Sequence, residues 1–170
     1  VHRSQHAPGG KEACLPLGAK IDIEELDFDT GGGATNTAVS FSRMGMRAAA
    51  LCRVGKDFAG EEIKRVLRRE GVDTGLIGTD PKNRTAYSIA LLAPTGDRTI
   101  LVSRGASGAF SATGIPWKKL KSRWIYISSL GGDLGLLSRF FTIATRQGTK
   151  IAWNPGGKEI AVGFKKLAPL

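Results

Sequence analysis

Strand-like and helix-like segments alternate along most of this 170-residue chain, and this order restricts the folds available to it. Short apolar runs typical of buried strands lie at 48–54, 124–130 and 149–153. A glycine-containing turn and a segment of helical spacing follow each of them. Because a strand, a crossing helix and a second strand form a right-handed unit with parallel strands, the sequence predicts an α/β fold with a mostly parallel sheet.

Three consecutive glycines at 31–33 stand directly before a predicted helix over 34–44, which Gly45 ends. Glycine lets the backbone turn sharply and brings N–H groups close to a ligand. A helix start also presents unpaired N–H groups and a positive dipole end. The loop alone indicates either a plain turn or a ligand cradle. Asn36, one turn into the helix on the side of the same mouth, favours the cradle.

In a parallel α/β sheet, ligands bind outside the carboxyl ends of the strands. The glycine pairs at 131–132 and 156–157 follow predicted strands, so they are further candidates for this rim. Asp133 is predicted to be a helix N-cap.

Residues 11–29 have a strand-like pattern, and apolar and acidic side chains alternate over 21–29, which predicts a strand there with a bulge or bend near 24–25. A ribbon of this kind would cover a partner chain or close over a ligand. Strands predicted at 85–92 and 98–104 flank a turn at 94–97, the pattern of a β-hairpin. The hairpin ends at Arg104, either a surface residue or an anion clamp.

The net charge of +10 is unevenly distributed, because residues 112–170 carry 10 basic and only 2 acidic side chains. The basic run 117–124 contains two tryptophans but no recognised nucleic-acid motif. Nucleic-acid binding is therefore less favoured than an anionic substrate or an acidic partner segment.

Cys14 and Cys52 match no metal or redox spacing, which favours reduced thiols and a cytoplasmic location. No apolar run approaches the about 20 residues of a membrane span, so we expect no membrane partner.

Several motifs in order resemble the ribokinase-like (PfkB) carbohydrate kinases from about residue 11 to the end. They lie at 32–38, 43–45, 54–60, 67–73 and 104–107. The resemblance implies a ribokinase-like three-layer sandwich with a mostly parallel sheet and a small β-sheet lid. Residues 11–30, with a contribution from the hairpin 85–104, would form the lid, and 31–170 the substrate-binding part of an incomplete kinase domain.

The same resemblance implies ATP-dependent phosphorylation of a small sugar or related carbohydrate hydroxyl, with ATP and Mg²⁺ as cofactors and a homodimer formed through the lid. It places the substrate against Gly32, Gly33, Asn36, Arg104 and Ser107. An amide side chain suits vicinal hydroxyls because it both donates and accepts hydrogen bonds. An arginine at position 104 would contact an acidic or phosphorylated sugar.

The chain also departs from the family pattern. No aspartate-bearing strand precedes Lys11, no lysine stands in the glycine loop, and Ser107 replaces the usual asparagine. The Asn-x-x-Glu motif and the Asp-Thr-x-Gly-Ala-Gly-Asp signature, which in the family supply the magnesium environment, the anion hole and the catalytic base, are absent. We therefore expect no catalytic or metal-binding residue in these 170 residues.

The chain starts at Val1 and stops at Leu170 without a closing element, so we expect it to be truncated and inactive by itself. The alternative function is a non-catalytic sugar- or nucleotide-binding module. The residues leave open the identity of the sugar and the roles of Arg98 and Asn154.

Overall fold

The computed structural model describes residues 2–3, 11–93 and 95–168, which form two units. One unit holds the described residues of Val1–Asp29 together with Ser88–Leu101, and the other holds Thr30–Tyr87 with the described residues of Val102–Leu170. In chain order the elements are β1 (His2–Arg3), β2 (Lys11–Glu12), α1 (Gly33–Arg43), β3 (Arg53–Gly55), α2 (Phe58–Arg69), β4 (Gly78–Asp80), β5 (Tyr87–Leu92), β6 (Arg98–Ser103), α3 (Gly105–Gly108), β7 (Trp124–Ile127), α4 (Leu134–Gln147), β8 (Lys150–Trp153), α5 (Gly157–Val162) and α6 (Phe164–Leu167). Within these described ranges, no helix combines the length and apolarity needed to cross a bilayer.

Two parallel strand pairs confirm the predicted α/β architecture of the second unit. In the pair β3–β4, Arg53 lies opposite Gly78 and the strands run in the same direction. In the pair β7–β8, Trp124 lies opposite Lys150 and Ile127 opposite Trp153. Helices α2 and α4 provide the crossovers between the paired strands, as the sequence order requires.

Helix α4 shows how the sequence builds the core of this unit. Asp133 caps its start by accepting a hydrogen bond from the Leu136 N–H at 2.8 Å, as predicted. Gly148 ends it with a φ of 66°, which a glycine adopts without strain. The side chains buried on one face of α4 pack with apolar residues from β7 and from the segment before β7, and the buried members of this cluster are Ile115, Leu120, Ile127, Leu136, Leu137 and Phe140.

The first unit differs from the sequence prediction. The strand predicted over 21–29 is wrong, because residues 13–32 contain no strand. A strand needs a neighbouring strand to satisfy its backbone groups, and none of the strand pairs among the described residues includes this segment. Its apolar side chains are exposed instead, namely Leu15, Leu17, Ile21, Ile23, Leu26 and Phe28.

The predicted hairpin is confirmed, since β5 and β6 pair with each other. The Ala93 N–H donates to the Asp97 carbonyl at 2.8 Å across the turn. Pro94, on which the turn prediction also rested, lies outside the described residues. Every residue of both strands is exposed.

Candidate functional site

The start of α1 lies against the residue that follows β7. A Cβ atom on Gly33 would stand 2.6 Å from the Cβ of Ser128 and 2.9 Å from its Oγ, so this position has room only for glycine. Because Ser128 directly follows the end of β7, the glycine loop lies at the carboxyl end of this parallel pair. Ligands of open α/β sheets bind at this edge.

The glycine loop keeps its shape through bonds within the helix start. The buried Thr35 donates its hydroxyl to the carbonyls of Gly31 at 2.7 Å and Gly32 at 3.0 Å. Gly32 has a φ of 110°, a conformation that side-chain-bearing residues rarely adopt. In the described chain α1 has no side-chain cap. Its first N–H groups, which lack partners within any helix, are therefore available to a ligand.

Two polar side chains at this edge have no hydrogen bond within the described part of the chain. Asn36 is exposed, and its hydrogen bonds are made by the backbone: its N–H donates to the Gly32 carbonyl at 3.0 Å, and its carbonyl accepts from the Ser40 hydroxyl at 2.9 Å. Ser128 is half-buried beneath Gly33. Sequence reasoning missed Ser128, although the change from an apolar run to serine after residue 127 was the available signal. The edge thus offers an amide, a hydroxyl and free backbone N–H groups.

Arg104 and Ser107, the other predicted site residues, lie at the short helix α3. The Ala106 N–H donates to the Arg84 carbonyl at 2.7 Å, which fixes α3 to the segment before β5. Arg104 is exposed, and the Ser107 hydroxyl donates to the Arg104 carbonyl at 2.7 Å. Among the described residues, no hydrogen bond or ion pair joins this pair to Gly33 or Asn36.

The glycine pairs at 131–132 and 156–157 were also predicted for the rim, and in each pair the protein itself engages at least one N–H group. The N–H groups of Gly132 and Gly156 donate to the carboxylate of Glu159 at 2.9 and 3.0 Å. Burial of Glu159 raises its pKa, but hydrogen bonds from Gly132, Ser129 and Leu130 outweigh burial and lower the pKa below its usual value. Sequence reasoning missed Glu159, because a glutamate beside a lysine in a glycine-rich segment resembles a surface residue.

The carboxylates near these strand ends have structural partners. Asp133 caps α4, and Asp57 accepts hydrogen bonds from the N–H groups of Gly60 and Thr85. Across the residues that the structure describes, no three His, Cys, Asp or Glu side chains come together as a metal site. Asp57 and Asp133 are therefore engaged in structural hydrogen bonds, and no chemical step is assigned to them.

The sequence model of the pfkB family carbohydrate kinases matches residues 7–163. This chain belongs to that family. Among individual pfkB proteins, the chain is 25% identical over 145 residues to the ribokinase of Haemophilus influenzae, covering 84% of this chain and 47% of that protein. It is 31% identical over 103 residues to a fructokinase of Escherichia coli, covering 59% of this chain and 33% of that one.

Solved structures show the same ribokinase-like fold. The ribokinase from Giardia lamblia matches with a TM-score of 0.71 at 22% identity, over 84% of this chain and 45% of that chain. A putative ribokinase II from E. coli in its apo form matches with a TM-score of 0.70 at 20% identity, over 88% of this chain and 51% of that chain. The predicted ribokinase-like architecture is confirmed, and this pfkB chain spans about a third to a half of the length of these relatives.

Proposed function

We propose that this chain supplies the sugar-binding part of a carbohydrate kinase that transfers the γ-phosphate of ATP to a hydroxyl of a small sugar. The observation that most supports this is the uncapped start of α1, where Gly33 lies on Ser128 and the Asn36 amide has no hydrogen bond within the described chain. Sugar hydroxyls need partners that both donate and accept, which an amide and a serine hydroxyl do. The ribokinase and fructokinase relatives support a pentose or a ketohexose as substrate.

The proposed assignment gives each part of the site a role. Gly32 and Gly33 let the sugar approach the first N–H groups of α1, and Asn36 binds a pair of neighbouring hydroxyls. Arg104 and Ser107 face a second region of the substrate, where an exposed guanidinium suits a carboxylate or phosphate group. The proposal for Arg104 is independent of the proposal for Asn36.

For the whole enzyme we propose ATP and Mg²⁺ as cofactors, and a solved relative from E. coli is in complex with both. Phosphoryl transfer to a hydroxyl requires a base and charge-neutralising groups around the γ-phosphate. We propose that the 170 residues alone bind sugar without turnover, which is supported by Asp133 serving as a helix cap and by the lack of a three-residue metal cluster among the described residues. The first unit is proposed to act as a lid and a homodimer contact, and the two free cysteines support a cytoplasmic location.

Calorimetric titration of the 170-residue chain with D-ribose and D-fructose tests the sugar site. Asn36→Ala is expected to weaken binding of the preferred sugar about tenfold, the effect of losing about 1.4 kcal/mol of hydrogen bonding. The melting temperature should stay the same, since the Asn36 side chain is exposed. Ser40→Ala, one turn further along α1, is the matched control: it removes a hydroxyl that bonds the Asn36 backbone carbonyl but keeps the Asn36 amide, and it should leave affinity unchanged.

Two outcomes contradict the proposal. Unchanged sugar affinity together with a lower melting temperature in Asn36→Ala would make Asn36 a structural residue. Release of ADP by the 170-residue chain, above the rate seen with ATP alone, would show that it contains the catalytic machinery.

A further inference from the structure

Glu159 is 1% exposed, the lowest value among the charged side chains that the structure describes. No basic side chain within the described ranges forms an ion pair with it. Four donors surround its carboxylate instead. Oε1 accepts from the Leu130 N–H at 2.7 Å and the Gly132 N–H at 2.9 Å, and Oε2 accepts from the Gly156 N–H at 3.0 Å and the Ser129 hydroxyl at 2.9 Å. A buried charge is stable only when such donors replace its hydration.

These hydrogen bonds join two rim loops that are distant in sequence. Residues 129–132 follow β7 and lead to α4, whereas Gly156 precedes α5. The loops also meet directly, because a Cβ on Gly156 would stand 2.5 Å from the Cβ of Ser129. Glu159 therefore fixes the backbone that leaves β7 relative to the backbone that leaves β8.

The fixed segment begins one residue after Ser128, the residue against which the start of α1 lies. On the other side of Ser128, the Ile127 carbonyl accepts a hydrogen bond from the Asn154 N–H at 2.9 Å. The backbone is thus held both before and after Ser128. Since a Cβ on Gly33 would overlap Ser128, the two residues lie close together, and a shift of Ser128 toward Gly33 would displace the start of α1.

We infer that Glu159 is a positioning residue for the sugar site, which holds Ser128 in place beneath the glycine loop of α1. The inference rests on the proposed function of that loop. Glu159 also accepts hydrogen bonds from the N–H groups of residues 130, 132 and 156. This part of the rim therefore binds the protein's own carboxylate rather than a phosphate. The ligand is left to the N–H groups of α1 and to the side chains of Asn36 and Ser128.

Glu159→Gln tests the inference with little change in side-chain size. The glutamine amide brings two N–H donors to a place where four donors already meet, so at least one backbone N–H loses its acceptor. In NMR spectra of the labelled 170-residue chain, we expect amide exchange at Leu130, Gly132 and Gly156 to become about tenfold faster while the α4 amides are unchanged. The Gly33 and Asn36 amide signals should shift although neither residue contacts Glu159. Glu62→Gln, in a surface ion pair with Arg65 on α2, is the matched control and should leave all these signals unchanged.

Titration with D-ribose and D-fructose then measures the effect on function. We expect about fivefold weaker binding of the preferred sugar in Glu159→Gln, because a loosely held site binds less well. Ser129→Ala removes one of the four donors and should produce smaller changes in the same signals.

The outcomes separate this inference from the proposed function. If the wild-type chain binds neither sugar, the proposed function fails, while the Gly33 and Asn36 signals still decide whether Glu159 positions the loop. Shifts confined to residues 129–132 and 156–159 would overturn the positioning role. A uniform rise in exchange across α2 and α4 would also overturn it, because Glu159 would then stabilise the whole unit.

Discussion

Asp57 accepts hydrogen bonds from both the N–H and the hydroxyl of Thr85, at 2.8 and 2.5 Å, although 28 residues separate them. The same carboxylate caps α2 by accepting from the Gly60 N–H at 2.9 Å. These hydrogen bonds lower the pKa of Asp57, and the bond from the Thr85 hydroxyl has the largest effect. One side chain therefore starts a helix and ties the end of β3 to the segment before β5.

Replacing Asp57 by alanine is expected to lower the free energy of unfolding by about 2–3 kcal/mol, since it removes a helix cap and leaves the Thr85 N–H without its acceptor. Urea denaturation at neutral pH measures the loss. Asp73→Ala is the matched control and should cost well under 1 kcal/mol, because Asp73 caps only an exposed turn at Gly75.

A double-mutant cycle with Thr85→Val isolates the Asp57–Thr85 contact. We expect the sum of the losses in unfolding free energy of the two single variants to exceed the loss in the double variant by about 1 kcal/mol, as for other directly bonded pairs. Strictly additive losses would show that the two side chains act independently.

Local patterns were sufficient to predict much of the second unit. The helices α1 and α4 were predicted from local signals, namely the glycines at 45 and 148, the N-cap at Asp133 and the apolar spacing of α4. The tertiary contacts of the folded chain agree with these local preferences. The order of strands and helices then predicted parallel pairing. The glycine loop was recognisable because its residues are adjacent in sequence.

Other features depend on residues that are far apart in sequence. Nothing around Glu159 indicates that Leu130 and Gly132 surround it, and nothing around Ser128 indicates that α1 starts above it. At 21–29 the alternating pattern was present, but no strand in the described part of the chain pairs with that segment. The helical segment predicted after the strand at 149–153 is interrupted at Gly163, whose φ of 88° ends α5 before α6 begins.

Acid should weaken the fold through Asp80. Hydrogen bonds from the Asn83 side-chain amide and from the N–H groups of Lys82 and Asn83, with a smaller effect of Arg53, lower the pKa of Asp80 from 3.8 to about 2. A pKa that is lower in the folded state contributes stability above the unfolded value, and this contribution is lost as the pH falls. The contribution is therefore complete above about pH 4 and disappears between about pH 4 and pH 2.

Urea denaturation of wild type and Asp80→Asn across this pH range measures the effect. We expect the variant to be less stable at pH 6 and the difference between the two proteins to shrink as the pH falls toward 2, because asparagine does not titrate. A constant difference at all pH values would assign the acid sensitivity to other carboxyl groups.

The contact between Gly33 and Ser128 predicts that even a methyl group is too large at position 33. Alanine normally favours a helix over glycine, but here its Cβ would overlap Ser128. Gly33→Ala is expected to lower the free energy of unfolding by about 1–3 kcal/mol, the usual cost of overpacking, and to weaken sugar binding. Gly31→Ala is the control within the same loop, because a Cβ there meets no atom within 4 Å.

Adding Ser128→Gly to Gly33→Ala should restore part of the stability, since it removes the Cβ and Oγ that the alanine meets. Thermal denaturation of the single and double variants distinguishes the outcomes. Equal effects of Gly31→Ala and Gly33→Ala, or no rescue by Ser128→Gly, would contradict the close approach.

The exposed strands β5 and β6 predict self-association. Leu92 is 77% exposed and Leu101 is 53% exposed, and an isolated two-stranded sheet is only marginally stable in water. Contact with the same strands of a second copy would remove this apolar surface from water. We expect the wild-type chain to sediment as a dimer, and the double variant Leu92→Lys, Leu101→Lys to sediment as a monomer, because each buried lysine would lose its hydration.

Met46→Lys is the control, since it replaces an apolar residue of similar exposure in the second unit. It should leave the dimer intact. Sedimentation velocity over a range of concentrations, with the far-ultraviolet circular dichroism of each variant, separates loss of the dimer from loss of the fold. A wild-type chain that stays monomeric at every concentration, or a dimer that survives both lysines, would assign these strands to another contact and leave the sugar-site proposals unaffected.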